Sequence, residues 1–296
     1  MPSAHGGAGI EAILFKDNGK LIMALINTEK LPVAVIIGAT SKWQSDGRNT
    51  LLAHGHAVED STLPTSVRWG VGGAIAQKFA KEGFLAVVTR RRGDLTKLTR
   101  DINSFGGEAY PFHSDARNEE QVVELMHNIE KKIGQIDILI YNVGGNVRYN
   151  ILETSSRVYR KVWEMCAFAG FLNSKEVLKY MIPRKKGTII FTGASASLRG
   201  KKGFSAFSGG KQALRALAQS LAHEVGPIGI HISHVVIDGL IENENTKKLF
   251  PKEFEQRGSD GVLNPMDIAE LYWNIYKQPK SAWSFETDIR PYNENW

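Results

Sequence analysis

Only one cysteine, Cys166, occurs in the 296 residues, so no disulfide can close within the chain. No cluster of Cys and His has the spacing of a zinc site, and a chain this poor in thiols suits a reducing compartment. Long apolar runs are missing too. No stretch approaches the roughly 18 residues that a membrane span needs, and the runs around Ala12 to Phe15 and Leu21 to Ile26 are broken by charge and lack a signal-peptide layout. The expectation is a cytoplasmic protein with no membrane span and no metal site. Internal repeats and low-complexity tracts are also absent, which leaves an ordinary globular composition.

A net charge of +6 hides a dispersed pattern: Lys and Arg stand in small groups among many acids, as on a solvated surface rather than a nucleic-acid footprint. The run Arg90-Arg91-Arg92 is the exception. With 42% hydrophobic residues the chain can bury a large core, and a single domain is expected.

From Pro32 onward short β-branched runs alternate with amphipathic segments, the rhythm of parallel strands joined by crossover helices. Strands are predicted at 33–37, 84–89, 108–112, 136–141, 188–192 and 230–237. Helices are predicted at 74–82, ending at Gly83, then 94–104, one opened by Asn118 and Gln121 as a capping box, 155–180, 207–225, and one begun by Asn264-Pro265. This order predicts an α/β fold, a doubly wound parallel sheet with ligands at the carboxyl ends of its strands. Residues 1–31 read as an N-terminal extension, 32–291 as the Rossmann-like domain and 292–296 as its C-terminal end. The polar segment 42–69 shows no sustained period and interrupts the domain as an insertion, either an evolved one or, as the good fit of its flanks favours, the product of a retained intron, an alternative transcript or a gene-model error.

With that insertion set aside, Gly38-Ala39-Thr40-Ser41 runs into Gly70-Val71-Gly72-Gly73 as a strand, a glycine turn and a helix. Glycines there let backbone amides approach a pyrophosphate at a positive helix end. The joined Gly-x-x-x-Gly-x-Gly spacing, His113-Ser114-Asp115-Ala116, Tyr141-Asn142-Val143-Gly144 and Phe207-Ser208-Gly209-Gly210-Lys211 follow in order. Together they resemble the landmarks of the short-chain dehydrogenase/reductase family, over roughly residues 32–291. The resemblance implies a cofactor cradle of Gly38, Thr40, Ser41, Gly70, Val71, Gly72, Asn142, Gly144 and Lys211, with Asp115 and Ala116 at the adenine. Arg90 and Arg91 fall at the end of the second strand, where arginine pairs with a 2′-phosphate, so NADP (NADPH) is the expected cofactor.

On the catalytic side the resemblance implies a tyrosine that carries a proton, a lysine that lowers its pKa and a serine that orients a carbonyl. Phe207 stands at the tyrosine position, four residues before Lys211 on the same helix face. The serine position falls on Ala194, with Ser195 one step later as the candidate hydroxyl; the family's helix asparagine falls near Cys166, and its Pro-Gly pair on Asp238-Gly239. The expected function is an NADP-dependent oxidoreductase on an unspecified carbonyl or alcohol, its proton delivered by Ser195, Ser205, Ser208 or water. The alternative is a catalytically silent NADP-binding or interaction protein. The closing segment from Ala282 to Pro291 resembles the tail of an atypical branch that shares the Phe-x-x-x-Lys helix, and a homo-oligomer, dimer or tetramer, is the expected assembly.

Overall fold

The computed structural model describes residues 10–17, 20–27, 31–40, 69–243 and 251–295. Strands β1 (Ile10–Asp17) and β2 (Lys20–Asn27) form an antiparallel pair in a sheet of their own. The main sheet is built from β3 (Val33–Ile37), β4 (Leu85–Arg90), β5 (Glu108–His113), β6 (Ile136–Tyr141), β7 (Gly187–Thr192), β8 (Ile230–Ile237) and β9 (Glu286–Ile289). All its pairs are parallel, in the order β5-β4-β3-β6-β7-β8-β9. The strand order reverses at β3, which places a crevice at the carboxyl ends of β3 and β6.

Every residue of β3 and β8 is buried, as a parallel sheet covered on both faces requires. Alternation then sorts side chains between two cores. Ala34, Ile36, Val88, Ile140 and Ile190 pack beneath helices α1 (Gly70–Lys81), α2 (Thr96–Ser104) and, near the end of the chain, the helix Pro265–Tyr276. Val33, Val35, Ile37, Val87 and Phe191 face the other side, beneath α3 (Glu119–Asn128) and the long helices that follow β6 and β7. Truncating any of these buried isoleucines to alanine is worth about 2–5 kcal/mol of stability.

The helix after β6 is expected as one piece over 155–180, and it is broken: α4 (Ser156–Trp163) passes through a π-helical turn, Glu164–Phe168, into α5 (Ala169–Arg184). Next come α6 (Ser205–Val225), α7 (Pro251–Arg257) and α8 (Pro265–Tyr276). Gly83 ends the α1 turn at φ +86 with open space around its Cβ position, so glycine is there for its backbone freedom. Asn118 caps α3 by accepting from the Gln121 amide, but Gln121 Oε1 turns away and accepts from the Asp115 amide, so only half of the expected capping box forms. Asn264 caps α8 as expected, accepting from the Met266 amide at 2.8 Å.

Candidate active site

The turn after β3 is made by Gly38 at φ +85, and α1 starts at Gly70 beside it. A Cβ on Gly72 would stand 2.3 Å from the Gly38 carbonyl oxygen and 2.8 Å from Asn142 Nδ2, so the helix can approach the strand end only through glycine. Asn142, just past β6, donates from Nδ2 to that same carbonyl at 3.1 Å and locks the two strand ends together. Thr40 is buried, and its hydroxyl has no partner among the described residues. An orphaned hydroxyl over a glycine turn at a helix N-terminus suits a dinucleotide phosphate. Val71 packs partly buried against the core below. Ser41 and the segment 42–68 lie outside the described residues. Trp69, the last residue of the expected insertion, is 2% exposed, and its Nε1 donates to Asp101 at 2.7 Å. A Cβ on Gly73 would meet Trp69 Cβ at 2.2 Å.

At the ends of β4 and β5 the charges are paired. Arg117 grips the Asp115 carboxylate with Nε at 2.9 Å and Nη2 at 2.6 Å, and Arg91 lies 3.9 Å from it with half its side chain exposed. Burial alone would raise the Asp115 pKa, but the bonds from Arg117 outweigh it and hold the carboxyl below its ordinary value. Arg90 is half-buried at the strand end. The Ala116 carbonyl accepts from Asn173 Nδ2 at 3.1 Å, which ties the candidate adenine segment to α5.

Across the edge, Lys211 is buried on α6. Its ammonium donates to the Thr192 carbonyl at 2.6 Å and the Val143 carbonyl at 3.3 Å, and it lies 6.0 Å from the centre of the Phe207 ring. Burial pushes the Lys211 pKa down, against an opposite pull from Cys166. A Cβ on Gly144 would stand 3.6 Å from Lys211 Nζ, an ordinary contact, so Gly144 lies directly beside that ammonium. The structure thus brings Lys211, Phe207, Gly144 and Asn142 to one place. Ala194 is extended, and Ser195, half-buried, opens a short helical turn to Ser197. Asp238 is buried and receives Arg199 at 3.1 Å. Among the described residues no group of three His, Cys, Asp or Glu could hold a metal.

Further contacts were not legible in the sequence. Tyr141, fully buried, donates its hydroxyl to the Met165 carbonyl inside the π-helical turn, and Cys166 of that turn fills the space a Gly210 Cβ would enter. His234 on β8 is wholly buried, with Nδ1 3.0 Å from Glu286 Oε2. Glu286 is in turn clasped by Arg215 at 2.6 and 2.9 Å. The signal for the pair is a histidine inside an otherwise apolar strand, Ile230–Ile237.

A doubly wound sheet with a glycine turn at its switch point and a buried lysine across the crevice defines a Rossmann-like dinucleotide-binding protein. The profile of the short chain dehydrogenase family matches residues 63–253. A short-chain dehydrogenase structure from Rhodopseudomonas palustris superposes with a TM-score of 0.65 at 42% identity, covering 75% of this chain and 93% of that one. A 3-oxoacyl-[acyl-carrier-protein] reductase, FabG, of Buchnera aphidicola is 30% identical over 192 residues, 65% of this chain and 78% of the relative. Short chain aldehyde dehydrogenase 1 of Euphorbia lathyris is 30% identical over 175 residues, 58% of this chain, and the match spans 60% of that relative's length. A metagenomic short-chain oxidoreductase in complex with NADP shares the fold, with a TM-score of 0.67 at 22% identity over 88% of this chain and 97% of that one. The chain belongs to the short chain dehydrogenase family of oxidoreductases, which bind a nicotinamide cofactor.

Proposed function

We propose that the protein is an NADP-dependent oxidoreductase acting on a carbonyl or alcohol. The observation that carries this reading is the joint placement of the glycine turn and Lys211 at one sheet edge, linked through Asn142 and Val143. Gly38, Thr40, Gly70, Val71 and Gly72 would cradle the phosphates, with Ser41 as the expected next member. Gly144 and Lys211 would face the nicotinamide ribose, and Asp115 and Ala116 the adenine. Arg90 and Arg91 favour the 2′-phosphate of NADP, since Arg91 keeps an exposed guanidinium beside the adenine segment. When bound, the nicotinamide supplies or takes a hydride; the chain supplies orientation and the proton. The NADP-bound relative supports this choice of cofactor.

The test is thermal unfolding of the full chain with rising NADPH, with NADH as control. Binding to the native state alone stabilises by about 2.7 kcal/mol at 100 times Kd. A saturable shift with NADPH only supports the reading; no shift with either removes it. A second reading, a silent NADP-binding protein, is favoured by the Phe207 ring at Lys211, which has no proton to give. It predicts the thermal shift without turnover on any carbonyl.

Tyr159, Trp163 and Phe171 are each about two-fifths exposed at spacings of four and eight along α4 and α5. An open hollow of about 720 Å³, lined by Arg117, Tyr159, Arg160, Trp163, Glu164 and Phe168, lies on this side. Such an aromatic stripe suits a second copy of the chain, and the homo-oligomer is part of this proposal. Sedimentation of the wild type against Trp163→Asp tests it; a wild-type monomer rejects it. Among the described residues no helix is long and apolar enough to cross a membrane, and a cytoplasmic location stays part of the proposal.

A further inference from the structure

Phe207 leaves the site without a phenol, so a carbonyl–alcohol reaction here needs another proton carrier. A buried group of the right chemistry lies one step along the sheet. In the parallel register Phe191 stands beside His234, and His234 beside Glu286. A carboxylate only accepts, so His234 Nδ1 carries the proton toward Glu286 and Nε2 presents a bare lone pair. That lone pair has no partner among the described residues. It lies 2.4 Å from where a Cβ on Gly193 would stand, so glycine at 193 is what lets the imidazole reach the loop.

Two residues further on stands Ser195, half-buried and opening the short turn to Ser197. Two residues of extended chain span at most about 7 Å between Cα atoms, so the loop that Nε2 faces at Gly193 is the loop that carries the Ser195 hydroxyl. Thr192, at the start of this loop, is also the residue whose carbonyl holds Lys211, so the lysine and the imidazole converge on a single stretch of backbone.

We propose that Ser195 and His234 form a proton relay in place of the absent tyrosine, with Ser195 touching the substrate oxygen and His234 Nε2, backed by Glu286 and Arg215, exchanging its proton directly or through one water. This rests on the oxidoreductase reading above. In alcohol oxidation the hydride leaves the carbinol carbon for the nicotinamide, and the O–H bond of the substrate breaks as a proton moves to Ser195. The Ser195 proton passes to Nε2, and the imidazolium formed is balanced by Glu286. Reduction runs the same transfers backward, the carbonyl oxygen taking its proton from Ser195. The charged groups that face His234 are Glu286 on β9 and Lys211 and Arg215 on α6. Burial holds its pKa down to about 4 against the pull of Glu286, so the imidazole is neutral at neutral pH with Nε2 unprotonated.

The deciding experiment is nitrogen NMR of the full chain labelled at histidine, with His234 assigned by the signal lost in His234→Gln. Ser195→Ala should move the His234 Nε2 resonance and its titration midpoint; an unmoved resonance overturns the relay. This readout needs neither cofactor nor turnover, so its failure is separate from a failed NADPH thermal shift. In NADP-dependent oxidation of an alcohol panel, Ser195→Ala and His234→Gln should each lose about 10²- to 10⁴-fold. The double variant should lose no more than the worse single one, and multiplied losses overturn the relay. Should His234→Gln not fold, Glu286→Gln replaces it: the acid limb of the oxidation profile should move to lower pH, and an unmoved limb counts against the relay.

Discussion

At the β3 end of the sheet edge side chains are removed, and at the β7 and β8 end they are buried with their charges and lone pairs. Around Gly38 and Gly72 contact is backbone on backbone, and a Cβ would sit 2.3 Å from a carbonyl oxygen. Around Thr192 and Gly193 the same edge is backed by the buried Lys211 and His234, each held by a defined partner. The first wall is set by hard sterics and admits no substitution. The second is set by hydrogen bonds, which other residues can supply, and it is there that Phe207, Ala194 and Cys166 depart from the pattern the family resemblance implies.

Gly72→Val should have the largest effect on this contrast. Its side chain drives into the Gly38 carbonyl, and urea unfolding should show at least about 1–3 kcal/mol of lost stability, with no NADPH response. A variant that still binds NADPH would remove the steric half of the comparison. Phe207→Tyr comes next: a phenol within reach of Lys211 should raise NADPH-dependent carbonyl reduction by about 10² or more. An unchanged rate would mean that the second wall no longer accepts the family's group.

The strands and most helices were legible because alternation and helical spacing come from burial itself, as in β3, where successive residues enter opposite cores. The β1 and β2 hairpin escaped the reading, although Asn18-Gly19 between two apolar runs is a hairpin signal. Strand β9 escaped because Glu286-Thr287-Asp288-Ile289 has no apolar run; it is an edge strand, and its glutamate serves His234. The π-helical turn at Glu164–Phe168 leaves no mark on side-chain spacing short enough to read. In the site, motifs with local spacing were legible. The Arg215, Glu286 and His234 chain was not, because its members meet only once β8 and β9 pair.

Smaller effects refine the two walls. Arg91→Glu should cut NADPH affinity roughly tenfold, about 1.4 kcal/mol, while NADH binding holds, as competition titrations would read. Loss of both cofactors together would assign Arg91 to the fold through Asp115. The smallest effect concerns acid. The Arg215 bonds hold Glu286 below its ordinary value of 4.5, so its contribution is full above that value and fades as pH falls through the lower folded pKa. Stability of Arg215→Met should therefore depend less steeply on pH at the acid end than that of the wild type, as unfolding at stepped pH would measure.

Trp69 carries one more consequence. It is buried against Gly73, as Thr40 is buried on the other flank, so the glycine turn is pegged into the core at both of its described ends.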